Sequence, residues 1–215
     1  MAINLNKVTL EKQGDTHKFD LTKKGANASK EIVINLNWNQ KTGLWAKWTK
    51  SSIDLDLGCF YQLADGTKAA IDGLQFSHNR GGSRNQVTKQ GCFTQAPWIW
   101  HSGDDRDGKD AQGENILVNP AGLTDFKRII VYCFIYEGAV KWAETDAVVT
   151  VKVPDNPDVV VEMGKQGSNQ KFCAIAEISF SANTMTVKKL VSFHNGHSDC
   201  DKTYGIGMTY RPGTK

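Results

Sequence analysis

Short runs of Val, Ile, Leu, Phe and Tyr, interrupted by turn-forming residues, constrain this chain more than any other feature. They fall near Asn4–Leu10, Ile32–Trp38, Ile53–Leu63, Ala69–Phe76, Ile116–Val118, Arg128–Tyr136, Ala147–Val153, Val159–Glu162, Lys171–Phe180 and Met185–Phe193. Each alternates or is continuously apolar over strand length, the pattern of extended chain covered on one or both faces. Ala64-Asp65-Gly66-Thr67 is a hairpin signal, since Asp-Gly readily takes positive φ angles. Pro154-Asp155-Asn156-Pro157 and Ser181-Ala182-Asn183-Thr184 are two further breaks. Helical patterning is scarce, and Asn119–Phe126 gives one turn at most. About ten strands with little helix predict an all-β chain folded as a two-sheet β-sandwich. Pro154–Asp158 is a candidate linker, but the strands after it are as apolar as those before. Residues 1–215 are therefore read as a single domain without internal repeats.

A chain of 215 residues, 40% hydrophobic and 23% charged, has an ordinary globular composition with enough material for one core. The net charge of +3 is too small to argue for nucleic acid. Nine lysines against four acids in the first fifty residues are scattered, as on a solvated face. The stretch Gly73–Gly103 has no acid and carries Arg80, Arg84 and Lys89, a mildly basic loop. The opening MAINLNKVTLEKQGD has no apolar run of signal-peptide length, and nowhere do 18 apolar residues run together. A cytoplasmic protein with no membrane segment is expected. Cys59, Cys92, Cys133, Cys173 and Cys200 are widely spaced and form no C-x-x-C pair, which favours buried reduced thiols. Cys200, in HSDCD, has the most polar setting and is the cysteine expected to be most reactive.

The acids are distributed unevenly. HSGDDRDGKDAQGEN (101–115) holds Asp104, Asp105, Asp107, Asp110 and Glu114, more than a solvated turn needs. Upstream, Ile53-Asp54-Leu55-Asp56-Leu57 alternates apolar and acidic. In a strand this puts Asp54 and Asp56 on one face, where two carboxylates repel unless they face water or a cation bridges them. With Gly108 aligned on the glycine of an EF-hand loop, Asp105, Asp107 and Glu114 fall on the third, fifth and twelfth ligand positions, but Gly103 stands at the first. The flanks Trp98–Trp100 and Ile116–Val118 read as strand, so this is no EF-hand. Hard oxygen donors at alternate spacing around a glycine suit Ca2+ better than zinc, copper or Mg2+. A solvated acidic turn is the competing reading.

D-L-D at 54–56, the H-x-G-D-[DN]-R-x-G loop at 101–108 and a Glu before a strand together resemble the TerD-domain family of tellurium-resistance and stress-response proteins. Arg128–Tyr136 and the closing pair Phe172–Phe180 and Met185–Phe193 are similar to that family's strands, and the resemblance covers most of residues 1–195. It implies a bacterial, intracellular β-sandwich binding one or two Ca2+ ions. The implied ligand set comprises Asp54, Asp56, Gly103, Asp104, Asp105, Asp107, Gly108, Asp110 and Glu114. It also implies a non-enzymatic, Ca2+-dependent binding or scaffolding role with protein partners of the same resistance or stress system. Three features depart from the family: Asp107 stands where Thr is usual, the run Lys109–Gly113 is about one residue short, and Ser77–Trp100 is long. The tail 195–215 also diverges, which points to a side branch similar to TerA.

Two other classes compete. Trp98 and Trp100, expected on one strand face beside the acidic loop, fit a Ca2+-dependent, lectin-like carbohydrate module. Asp54, Asp56 and Glu114 offer the carboxylate pair of a hydrolase, but that chemistry needs one acid held protonated, whereas a Ca2+ site holds all ionised. His194, His197, Asp199, Cys200 and Asp201 form a polar cluster, read mainly as a hydrogen-bonded surface loop. His101 is expected to hold the acidic loop through a hydrogen bond.

Overall fold

The computed structural model describes residues 7–22, 30–38, 53–76, 82–103, 113–138 and 141–210. Thirteen strands are described: β1 Lys7–Thr9, β2 Thr16–Asp20, β3 Ile32–Asn37, β4 Asp54–Leu63, β5 Lys68–Asp72, β6 Gly91–Cys92, β7 Ile99–His101, β8 Glu114–Val118, β9 Phe126–Glu137, β10 Val148–Lys152, β11 Asp158–Glu162, β12 Phe172–Ser181 and β13 Thr184–His194. They form a seven-stranded sheet, β1-β11-β10-β3-β8-β7-β6, and a six-stranded sheet, β2-β13-β12-β9-β4-β5. The all-β sandwich is as the sequence predicts. Pro154–Asp158 is the hairpin turn between the antiparallel strands β10 and β11, so it is no linker.

Alternation places one core between the sheets. Leu55, Leu57, Cys59, Val131, Cys133, Cys173 and Ile175 point inward, with Ile34, Leu36, Ile99 and Ile116 from the facing sheet. The intervening residues of the same strands, Phe60, Ile130, Tyr132, Phe134, Phe172 and Ala174, form a second apolar layer on the outer face of the six-stranded sheet. RIIVYCFIY is continuously apolar because both faces of its strand are covered.

The cover is a helix, α1, His197–Tyr204, with the segment that follows it. This corrects the expectation of a surface loop at HSDCD. Polar residues on either side of Cys200 hide the helix, because His197, Asp199 and Asp201 each serve a different neighbour. Cys200 enters the outer apolar layer, and burial pushes its thiol up to about 12. Its expected reactivity is therefore overturned. All five cysteines are free and buried, and we expect no native cysteine to react with an aromatic disulfide reagent within minutes, while five react after denaturation. Asp201 accepts from Gly207 N at 2.5 Å, Met208 N at 2.8 Å and the Tyr210 hydroxyl at 2.7 Å, folding the tail back on the helix. Arg128 Nη2 donates to the Tyr204 carbonyl at 2.6 Å, a cation at the helix C-terminus where the dipole favours one. Among the described residues no helix is long and apolar enough to cross a membrane.

Candidate metal centre

The acid-bearing end of β4 lies where its sheet runs out of partners. β5 pairs with β4 only from Gly58 to Gln62, while β9 continues alongside to Asp54. One edge of β4 around Leu57 thus lacks a neighbouring strand, and two side chains from the opposite sheet take its place. Glu114 Oε2 accepts from Leu57 N at 2.7 Å, and His101 Nε2 donates to the Leu57 carbonyl at 3.0 Å. His101 Nδ1 accepts from Gly103 N at 3.2 Å. A carbonyl oxygen can only accept and a peptide N–H can only donate, so these bonds select the Nε2–H tautomer of a neutral imidazole. The expected hydrogen bond from His101 to the loop is present, and its bridge to β4 is a contact the sequence does not reveal.

The Asp54/Asp56 face is not solvated. Every residue of β4 is buried; Asp54 keeps 4% of its surface, and Asp56, His101 and Glu114 keep none. Asp56 Oδ1 lies only 2.6 Å from where a Cβ on Gly73 would stand, so the turn after β5 closes directly over this carboxylate. Burial raises the Cys133 thiol well above its ordinary value, and the neighbouring Cys173, then the Glu114 and Asp56 charges, add to the shift. Both carboxylates therefore act on one point of β9 from the ends of different strands.

Gly103 and Gly113 bracket the acidic segment, both at positive φ (132° and 57°). At Gly113 a Cβ would also stand 2.1 Å from the Leu36 carbonyl. Only glycine accepts that backbone turn and that approach, and together they deliver Glu114 to the start of β8. Asp104, Asp105, Asp107, Gly108 and Asp110 lie outside the described residues. Of the sequence-predicted ligands, the structure thus places Asp54, Asp56, Gly103 and Glu114, and brings them to one corner of the sandwich. Among the described residues no three His, Cys, Asp or Glu side chains converge on a single ion position. The donor chemistry fits a hard cation, and a full shell needs oxygens from 104–112.

The remaining sequence candidates disperse. Trp98 precedes β7, its indole N–H donates to Asp125 Oδ2 at 2.7 Å, and its ring occupies the space a Cβ on Gly122 would need, 2.0 Å away. Trp38 and Trp142 are core residues, and Trp45 and Trp48 lie outside the described residues. His194 Nε2 pairs with the Ser192 hydroxyl at 2.5 Å, whereas His197 turns to Asp72 and Asp199 to Asn195.

Asp72, at the end of β5, is a site residue that sequence reasoning missed. It accepts from Leu74 N at 3.0 Å, the Tyr132 hydroxyl at 2.7 Å and His197 Nε2 at 3.0 Å. Burial pushes its carboxyl up, but the His197 hydrogen bond and charge, with Tyr132 and His101, outweigh it and leave the group below the ordinary carboxylate value. A depressed folded pKa contributes stability above the unfolded value near ~3.9 and loses it as pH falls through the folded one. We expect Asp72→Asn to unfold more readily than the parent at pH 7 and the difference to shrink as pH falls through the depressed folded-state value, as read by urea titration at each pH. The Tyr132 hydroxyl reaches Asp72 across Gly58, where a Cβ would lie 2.3 Å from the Tyr132 ring. Gly58→Ala should therefore destabilise by at least ~2 kcal/mol in chemical denaturation.

No protein-family model matches the chain. Over 218 aligned positions it is 30% identical to the tellurium resistance protein TerA of Alcaligenes sp. The chain is related to the Ter family. The alignment takes in 99% of this chain, divergent tail included, and 60% of the Alcaligenes protein, so the chain spans about three fifths of its TerA relative's length. The TerD-like motifs and the TerA similarity thus agree on one relationship.

Proposed function

We propose that this chain acts in tellurium resistance and the associated stress response, as a Ca2+-dependent binding or scaffolding module related to TerA. One observation carries the reading: three buried carboxylates, Asp54, Asp56 and Glu114, stand where both ends of the acidic segment meet β4. A buried carboxylate is costly unless its charge is compensated. A divalent cation taken up at this corner, on one or two of these carboxylates with oxygens from the 104–112 segment completing its shell, compensates part of that charge. Such an ion supplies charge neutralisation, and the protein's own groups do the rest. His101 stays neutral and, with Glu114, fixes Leu57, which holds the D-L-D strand in register. Gly103 and Gly113 set where the acidic segment leaves and rejoins the sandwich.

The electrostatic mechanism rests on the β4 corner, which Glu114 and His101 fix. Neutralising the carboxylates draws the segment onto the corner and presents an ordered surface for a protein partner of the same system. Titration calorimetry of chelator-treated protein tests it. A saturable Ca2+ isotherm that tenfold more Mg2+ does not reproduce is the expected result; no heat beyond dilution would remove Ca2+ from the reading and leave the relationship to TerA standing.

A further inference from the structure

A cavity of about 820 Å3 opens between the Gly73–Gln75 turn and α1. Asp72 and His197 line it, with Leu74 and Met208 as apolar wall and Lys202 and Tyr210 beside them. Asp72 already accepts three hydrogen bonds, so its part is to hold His197. The imidazole is further boxed by Phe172 (ring centroids 4.7 Å apart), Phe134 (5.0 Å), Tyr132 (5.5 Å) and Tyr210 (6.2 Å). With Nε2–H committed to Asp72, Nδ1 is the remaining polar atom of a ring that cannot turn, and it makes no hydrogen bond to a described residue.

We propose that this cavity binds a small organic phosphate monoester, with its phosphoryl group between His197 Nδ1 and the Lys202 ammonium and its organic body against Leu74, Met208 and the Tyr210 ring. Neutral His197 offers a lone pair at Nδ1 and the imidazolium offers an N–H. A phosphate monoester, whose second proton leaves near pH ~6, meets either form, donating P–OH to the first and accepting from the second. Lys202 lies exposed at the cavity and makes no ion pair among the described residues. The cavity exceeds what an inorganic ion fills and falls in the range of organic-ligand sites, about 300–1,000 Å3. Two carboxylates face the same space. Asp72 is occupied by its three hydrogen-bond donors, and Asp199 is turned to Asn195, accepting from its backbone and side-chain nitrogens at 2.9 and 3.3 Å. The tyrosines Tyr132 and Tyr210 are both engaged as donors to aspartates. This site is separate from the proposed Ca2+ centre and goes beyond that reading.

The test is NMR of the histidine ring protons of the full chain, in chelator and at one fixed pH, titrated with phenyl phosphate and, separately, inorganic phosphate. The expected result is a saturable shift of the His197 signals with phenyl phosphate, at least ~5-fold weaker in Lys202→Met. His197→Gln assigns the resonance, and Lys202 is exposed, so the Lys202→Met chain keeps its fold for the comparison. A His197 signal that does not move, or that moves no more than that of half-buried His17 on β2, overturns the site. Equal affinity for inorganic phosphate overturns the ester assignment.

Discussion

Glu114→Ala should lower the unfolding free energy of the metal-free protein by about 3 kcal/mol, a loss of roughly 6–12 °C in midpoint for a chain of this size. The residue has no solvent exposure and its Oε2 is the acceptor for Leu57 N. Truncation leaves a buried peptide N–H without its bond, opens a void between the sheets, and removes the group beside His101. Glu114→Gln separates these effects. Its amide oxygen still reaches Leu57 N, so it should lose about 1 kcal/mol in the metal-free protein, yet it should bind Ca2+ at least ~10-fold more weakly because the charge is gone. Equal thermal midpoints for the parent and Glu114→Ala would mean that β4 holds its register without the strut.

Ca2+ at about 100 times its dissociation constant should stabilise the fold by ~2.7 kcal/mol, and Asp54→Asn combined with Asp56→Asn should abolish that gain. The double variant carries a second, opposite expectation. Without metal, removing two charges from a buried strand end relieves repulsion, so its midpoint in chelator should equal or exceed that of the parent. Gain of stability in chelator together with loss of the Ca2+ response is the signature of a ligand pair. Full retention of the Ca2+ gain would exclude the D-L-D strand as a source of ligands.

The sandwich was legible because strand periodicity is a local property. Nine of the predicted runs have a described strand within a residue or a few of the predicted bounds, and even Asn4–Leu10 contains β1. What escaped was short or polar. THKFD, β2, alternates too weakly to be noticed and is a strand because β13 lies beside it. β6 is two residues long and owes its pairing to β7. The helix HSDCDKTY carries no apolar stripe, since one cysteine and the aromatic ring at its end provide most of its contact. Of the candidate centre, D-L-D spacing correctly set the two aspartates apart from Leu55 and Leu57, but spacing could not tell a wet face from a covered one. That depended on the Gly73 turn, which closes over Asp56 from beyond the next strand. Asp72 was invisible for the same reason: its meaning comes from Tyr132 and His197, which the chain brings in from far downstream.

The first two strands have a consequence for how the chain reaches this state. β1 pairs with β11, Lys7 against Asp158, and β2 pairs with β13, His17 against Val187. Each forms an outer strand of a different sheet, so the N-terminal segment is woven into both. During synthesis both strands leave the ribosome before the rest of the sandwich and wait for partners far downstream, which makes these closing contacts the most distant in sequence. Folding dominated by such pairings is slow, because the chain entropy of a long loop is lost before the contacts repay it. The half-made sandwich therefore presents two open strand edges for as long as translation continues, a window in which a chaperone, or a second nascent chain, has its chance to bind.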